Sequence, residues 1–170
     1  MKVIHRDIKP DNILVGDSGQ IVLGDFGVTC EMIECGDRYR YRKTLTGSPC
    51  FMAPEIFENE YGYNEKVDVW ALGITALFLA YGKTPYGHFP PIKIMLELMK
   101  NDAPDLNSFN DKTHEWSDSF HNFVSKCLRK DQIKRYSSKK LLAHKFLKQA
   151  KTQQYIYDNL VTSKKIDHIS

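Results

Sequence analysis

The chain has 170 residues, which is enough for one domain with a substantial hydrophobic core. Hydrophobic residues make up 42% of it and charged residues 26%, the ordinary composition of a globular protein. The net charge of +3 is too small to indicate binding to nucleic acid or to an anionic membrane. The four cysteines form no CxxC pair, so we expect free thiols and a cytoplasmic protein without a disulfide framework or a zinc site.

Two short apolar runs near the N-terminus predict a β-hairpin. Residues 12–15 and 20–23 are strand-like, and the sequence GDSG between them is typical of a turn. With four residues in the turn, Val15 faces Gln20 and Asn12 faces Leu23. Asn12 and Asp25 then leave the open end of the hairpin together, with residues 5–9 one short loop upstream.

The polar, aperiodic stretch from Val28 to Pro54 predicts a loop long enough to need a functional explanation. After it the chain is mostly helical. The apolar run from residue 69 to 82 is shorter than the roughly 20 residues of a membrane span, so we interpret it as a fully buried core helix. A further helix is predicted over Lys93 to Lys100. Two more are predicted after capping serines, one after Ser117 and one after Ser137 or Ser138.

Four polar side chains converge at the open end of the predicted hairpin: Asp7, Lys9, Asn12 and Asp25. The oxygens of Asn12 and Asp25 suit Mg²⁺, which takes one or two protein oxygens and completes its shell with water and phosphates. Asp7 can orient and deprotonate a hydroxyl, and Lys9 can neutralise a transferring phosphoryl group. A single aspartate in a loop is more often a turn former. The hypothesis depends on the combination.

The sequence HRDIKPDN at residues 5–12, followed by DFG at 25–27, resembles the catalytic loop and metal-binding motif of eukaryotic protein kinases. GSPCFMAPE and DVWALG, further along, resemble the end of the activation segment and the start of the central helix. The resemblance implies a mainly α fold, a kinase C-terminal lobe with a short hairpin carrying the site and with the small β-rich lobe absent. The implied partial kinase domain covers 1–150, with activation segment 25–55 and helical lobe 56–150. A C-terminal helical extension and tail follow over 151–170.

The same resemblance assigns roles to individual residues. Asp7 is the expected catalytic base and Lys9 contacts the γ-phosphate of ATP. Asn12 and Asp25 hold Mg²⁺, and Leu14 forms the floor under the adenine ring. A lysine two residues after the catalytic aspartate is the pattern of serine/threonine kinases, so protein substrates phosphorylated on Ser or Thr are expected.

The resemblance also implies structural roles. His5 and Phe26 are expected to pack in a hydrophobic stack. Asp68 is expected to accept backbone N–H bonds from the catalytic loop, because an unpaired carboxylate in an apolar helix costs several kcal/mol. Glu55 and Arg135 are expected to form a buried pair that clamps the activation segment to the helical lobe.

Regulation is expected in the long loop. Phosphorylation of Thr44, or alternatively Thr46, would give Arg6 a phosphate to pair with and so order the segment. The hydroxyl of Ser48 is expected to bond to Asp7 and Lys9. The sequence is most similar to the germinal-centre type of the sterile-twenty group, near the oxidative-stress-responsive and proline-alanine-rich kinases. That branch favours Thr44, an upstream activating kinase, and a role in stress or osmotic signalling.

The parts of a kinase that cover ATP do not occur in the sequence. It has no Gly-rich loop and no strand with a Val-Ala-Ile-Lys-like motif before residue 5. We therefore expect Met1 to be a boundary within a longer polypeptide; a genuinely short product is the alternative. Residues 1–170 alone are expected to be inactive, and exposure of the hairpin is expected to favour self-association. A non-catalytic, kinase-like interaction module is the second functional class that this sequence leaves open.

Overall fold

The computed structural model describes residues 3–31, 48–58, 63–109, 111 and 113–163. Its strands and α-helices are β1 Val3–Ile4, β2 Ile13–Val15, β3 Ile21–Leu23, β4 Cys30–Glu31, α1 Glu55–Glu58, α2 Lys66–Tyr81, α3 Pro91–Lys100, α4 Asp118–Cys127, α5 Ser138–Leu142 and α6 Gln153–Ile156. Short 3-10 turns lie at Pro10–Asn12, Pro49–Phe51, Leu106–Ser108 and Leu147–Gln149, and α6 continues into a π-helical turn, Tyr157–Val161. The predicted fold class, mainly helical with a small β-hairpin near the N-terminus, is confirmed.

The hairpin of β2 and β3 forms, but its predicted register is wrong by one residue. Val15 pairs with Ile21 rather than with Gln20. The Gly16 N–H donates to the Gln20 carbonyl at 2.9 Å, which makes the turn one residue shorter than predicted. The loop therefore has three residues and ends on Gly19, whose φ of 79° supplies the left-handed conformation that such a loop needs. At the open end the Gly24 N–H donates to the Asn12 carbonyl at 2.8 Å.

A second antiparallel pair, β1 with β4, was missed by the sequence reasoning. Val3 pairs with Glu31 and Ile4 with Cys30, so β4 lies inside the stretch predicted to be loop. Strands of two residues are too short to show the alternation by which strands are recognised. The pair matters to the site because Ile4, which is fully buried, anchors the chain directly before His5.

Helix α2 is the centre of the core and packs against α4. Its buried side chains include Val67, Trp70, Ile74 and Leu77. The prediction of a fully buried helix is wrong for its last turns, where Leu79 is 72% exposed. The helix ends at Gly82, whose φ of 68° lets its N–H donate to the Phe78 carbonyl at 2.7 Å.

The other predicted helices lie close to their expected positions. Helix α3 begins at Pro91 rather than Lys93, because proline at the first helical position loses no hydrogen bond. Ser117 caps α4 by accepting the Phe120 N–H, and Ser137 rather than Ser138 caps α5. Among the residues the structure describes, no helix is both long enough and apolar enough to cross a membrane.

The cysteines that the structure describes in detail are free thiols. Cys50 is half-buried, and Cys127 is buried at the contact between α4 and α2. Burial raises the pKa of the Cys127 thiol to about 12, with the nearby Arg135 acting weakly in the opposite direction. This thiol therefore stays protonated and behaves as a small apolar side chain.

Helices α2 and α4 approach most closely at Gly73. A Cβ atom there would lie 2.7 Å from Cys127 Cβ and from the side chain of Leu128. We expect Gly73→Ala to destabilise the chain by about 1–3 kcal/mol through overpacking, although alanine alone favours a helix by about 1 kcal/mol over glycine. Urea unfolding measures the change. Leu79→Ala, on the exposed side of the same helix, should leave the midpoint almost unchanged; a higher midpoint for Gly73→Ala would contradict this packing.

Candidate active site

The loop of residues 5–12 is attached to α2 through one carboxylate. The backbone N–H groups of His5 and Arg6 donate to the two oxygens of Asp68, each at 2.8 Å. Partial burial raises the pKa of the Asp68 carboxyl, and the two backbone hydrogen bonds act in the opposite direction. Arg6 has a φ of 68°, a conformation that costs a non-glycine residue about 1–3 kcal/mol. Asp68 therefore holds the loop in a backbone conformation that would relax without it.

His5 joins the loop to the open end of the hairpin. Its Nδ1 accepts the Asp7 N–H at 3.3 Å, and its Nε2 lies 3.0 Å from the Gly24 carbonyl. These two partners select the tautomer that carries its proton on Nε2. The buried imidazole also contacts the Phe26 ring edge-on at 4.8 Å, while Phe26 itself is largely exposed. The sequence reasoning expected the ring contact and missed the hydrogen bond to Gly24.

Asp7, Lys9 and Asn12 form one hydrogen-bonded cluster. Asp7 Oδ2 accepts from Lys9 Nζ at 2.8 Å and from Asn12 Nδ2 at 2.9 Å. Asn12 Nδ2 also donates to the Asp7 carbonyl at 2.7 Å, so both amide protons point at Asp7. Asp7 is 8% exposed and Asn12 is 7% exposed. Within the described residues, Asp7 Oδ1 and the Asn12 amide oxygen accept no hydrogen bond.

Asp25 lies one residue beyond the hairpin ladder, next to Gly24, which faces Asn12. Its carboxylate is exposed, its φ is 57°, and Oδ1 accepts the Gly27 N–H at 3.2 Å. A free carboxylate oxygen and a free amide oxygen have the chemistry that Mg²⁺ prefers. In the part of the chain that the structure describes, no three His, Cys, Asp or Glu side chains form a cluster fit for a metal. Water or a phosphate would have to complete the shell of a bound Mg²⁺.

Other predicted residues fall around this cluster. Leu14 is 55% exposed on the hairpin, and Arg6 Nε donates to the Val28 carbonyl at the start of the long segment. Among the described residues, no hydrogen bond joins Ser48 to Asp7 or Lys9, and the side chains of Asp7 and Lys9 pair with each other. Thr44 and Thr46 lie outside the described residues.

Glu55 and Arg135 form a buried, bidentate ion pair with nitrogen–oxygen distances of 2.6 and 2.9 Å. The remaining N–H groups of Arg135 donate to three backbone carbonyls, those of Lys66, Arg129 and Lys130. All five donors of the guanidinium are therefore used, and its Cζ atom lies 5.1 Å from the centre of the Trp70 ring. This pair ties α1, at the end of the long segment, to α2 and to the chain before α5.

Comparison with known proteins places the chain in a family. A model described as "Protein kinase domain" matches residues 1–147. The chain belongs to the protein kinase family. It is 46% identical to the serine/threonine-protein kinase fray2 of Dictyostelium discoideum over 158 residues, and 40% identical to germinal center kinase 3 of Caenorhabditis elegans over 164 residues. Each alignment covers 93% of the chain.

These relatives are much longer than the chain, which spans 15% of fray2 and 28% of germinal center kinase 3. A third relative, fray1 of Dictyostelium discoideum, is 46% identical over 163 residues, again 93% of the chain and 27% of the relative. The relatives support the predicted sterile-twenty family.

Replacing Asp68 by asparagine tests its hold on the catalytic loop. The amide can accept one N–H bond where the carboxylate accepts two, and a lost bond to a charged group is worth about 1.5–3 kcal/mol. We expect hydrogen exchange at the His5 and Arg6 amides to become about ten- to a hundredfold faster. Asp131→Asn, in an exposed turn where Asp131 accepts the Ile133 N–H, is the matched control. Unchanged protection of residues 5 and 6 would contradict the assigned role.

Replacing Glu55 by alanine tests the buried pair. The change leaves Arg135 charged and buried without its partner, so we expect a loss of about 3–5 kcal/mol in the free energy of unfolding. Denaturant titration measures the loss. Lys134→Ala removes the exposed pair between Lys134 and Asp131 and should leave the midpoint nearly unchanged. Similar midpoints for the two variants would show that the buried pair is not needed for stability.

Proposed function

We propose that this kinase domain transfers the γ-phosphoryl group of ATP to Ser or Thr hydroxyls of protein substrates. The observation that carries the proposal is the cluster of Asp7, Lys9 and Asn12. In it, Asp7 Oδ2 accepts hydrogen bonds from Lys9 and Asn12, and among the described residues Asp7 Oδ1 accepts none. Membership of the protein kinase family supports it. Asp7, Lys9 and Asn12 are the proposed catalytic residues.

The geometry suits proton transfer to Asp7. Lys9 and Asn12 donate hydrogen bonds to Asp7 Oδ2, so Asp7 Oδ1 can accept the proton of the substrate hydroxyl. The oxygen of that hydroxyl attacks the γ-phosphorus as its proton leaves. The bond from the γ-phosphorus to the oxygen of the leaving ADP breaks in the same step. The ammonium group of Lys9 lies beside the carboxylate and adds positive charge where phosphoryl charge develops.

The donor set at the open end of the hairpin fits Mg²⁺ and a nucleotide. The Asn12 amide oxygen and the Asp25 carboxylate are the groups that would hold the ion. Mg²⁺ supplies charge neutralisation for the phosphates when bound. The exposed side chain of Leu14 offers an apolar surface to the adenine ring.

We also propose that the small β-rich lobe of the kinase domain lies outside residues 1–170. These residues contain no Gly-rich loop and no strand with a Val-Ala-Ile-Lys-like motif. The hairpin offers it a surface, since four apolar side chains are each about half exposed: Leu14, Val15, Ile21 and Val22. When nothing covers this surface it favours self-association. Residues 1–170 alone are then inactive, because phosphoryl transfer depends on positioning of ATP.

The finer assignment is to the stress and osmotic branch of the sterile-twenty group, in the cytoplasm. The similarity to the fray kinases and to germinal center kinase 3 supports the germinal-centre type, and the branch is the one that the sequence resembles. In this proposal an upstream kinase phosphorylates Thr44. The phosphate then pairs with Arg6, whose side chain already contacts the start of the segment at Val28.

A phosphotransfer assay tests the proposal. The protein encoded by the full coding sequence is incubated with labelled ATP, Mg²⁺ and a generic basic protein. We expect it to transfer phosphate at about 1–100 turnovers per second. Asp7→Asn should lower the rate at least about a hundredfold by removing the base, and Asp25→Ala should abolish it. Asp102→Asn, an exposed aspartate after α3, is the control. Transfer that survives Asp7→Asn would refute the assigned base.

Two further arms separate the finer claims. Measurable turnover by residues 1–170 alone would contradict the need for a second lobe. Absence of transfer by the full coding sequence would favour the alternative, a kinase-like interaction module. Thr44→Ala should lower the activity while Thr46→Ala should not, and the reverse result would move the phosphosite to Thr46.

A further inference from the structure

The turn of the hairpin is covered by the C-terminal segment, residues 153–163. Gln153 Nε2 donates to the Ser18 carbonyl at 3.1 Å and lies 3.2 Å from Ser18 Oγ. Gly19 is buried, which is unusual at the tip of a hairpin turn. The contact therefore joins the N-terminal hairpin to the last helix that the structure describes.

The approach at Gly19 is backbone to backbone. A Cβ atom on Gly19 would lie 2.6 Å from the Gln153 carbonyl oxygen and 2.6 Å from the Tyr157 nitrogen. Because its φ is also 79°, glycine meets two requirements here, a left-handed turn and direct contact with the helix. Neither helix atom belongs to a flexible side chain that could move aside.

Little else holds the hairpin in the described part of the chain. It has three residue pairs, and a two-stranded hairpin of that size is marginally stable on its own. Four of its apolar side chains are about half exposed. The open end is held by His5 at Gly24 and by Asn12 at Asp7, and the turn is held by the C-terminal segment.

We propose that residues 153–163 set the register of the hairpin and so position Asn12 and Asp25 for Mg²⁺; the metal part rests on the proposed function. Gln153 and Gly19 are positioning residues, since neither touches the metal-binding side chains. A four-residue turn is compatible with the same sequence and would place Asn12 opposite Leu23. A slip of one residue turns every side chain of a strand to the other face. Contact of the helix with Ser18 and Gly19 favours the three-residue turn.

Hydrogen exchange in the chain tests the hold on the hairpin. Gln153→Ala removes the side-chain bonds to Ser18, and we expect amides of strands β2 and β3 to exchange about three- to tenfold faster. Gln154→Ala is the matched control, because among the described residues the Gln154 side chain bonds only to Asp158, at 2.8 Å and one helical turn away. Equal exchange rates in the two variants would overturn the proposal.

The glycine contact has its own matched pair. Gly19→Ala and Gly82→Ala both place alanine at positive φ, but only the first meets the C-terminal helix. No atom of the described residues lies within 4 Å of a Cβ at Gly82. We expect Gly19→Ala to accelerate hairpin exchange at least about tenfold, because the helix contact breaks or the turn changes. Gly82→Ala should leave it unchanged. Equal hairpin protection in both variants would overturn the role of Gly19.

The Mg²⁺ dependence of phosphotransfer separates positioning from simple support. In the full coding sequence, Gln153→Ala should raise the Mg²⁺ concentration for half-maximal activity about three- to tenfold over Gln154→Ala. Faster hairpin exchange with an unchanged Mg²⁺ dependence would overturn the positioning role. A wild-type protein without any transfer would count against the proposed function, and the exchange measurements would still decide whether the segment holds the hairpin.

Discussion

The two hydrogen bonds from the backbone of residues 5 and 6 to Asp68 are the constraint on which the site depends. They fix the chain to the central helix at the residue whose backbone is left-handed, immediately before Asp7. Burial raises the pKa of the Asp68 carboxyl, and the two N–H donors offset part of that effect. The position of the Asp7 cluster thus follows from the core of the helical domain rather than from contacts within the loop.

At the other end of the long segment, a second buried charge is also stabilised by hydrogen bonds to its charged group. Arg135 uses all five donors, two of them on Glu55, so the pair has the complete hydrogen bonding that a buried ion pair needs to be tolerated. Such pairs add little net stability over apolar residues but disfavour alternative arrangements. Here the pair specifies where residues 48–58 rejoin the core, and hence where the segment from Asp25 onward must end.

Prediction from the sequence was most accurate where the pattern was long or the motif dense. Helix α4 begins after Ser117 as its capping pattern predicts, and the polar residues of the candidate site are recognisable from their motifs. The paired strands β1 and β4 were missed because two residues show no periodicity.

The sequence by itself determined the mainly helical fold, the identity of the polar residues at the site and the membership of a kinase family. Each of these is encoded locally, in periodicity, in caps and in short motifs. Only the tertiary structure decided the hairpin register, the tautomer of His5 and the contact between Gln153 and Ser18. A hairpin of three pairs accommodates either turn length, and residues distant in sequence select between them. Local sequence cannot express that choice, because the contact that makes it joins residues 135 positions apart.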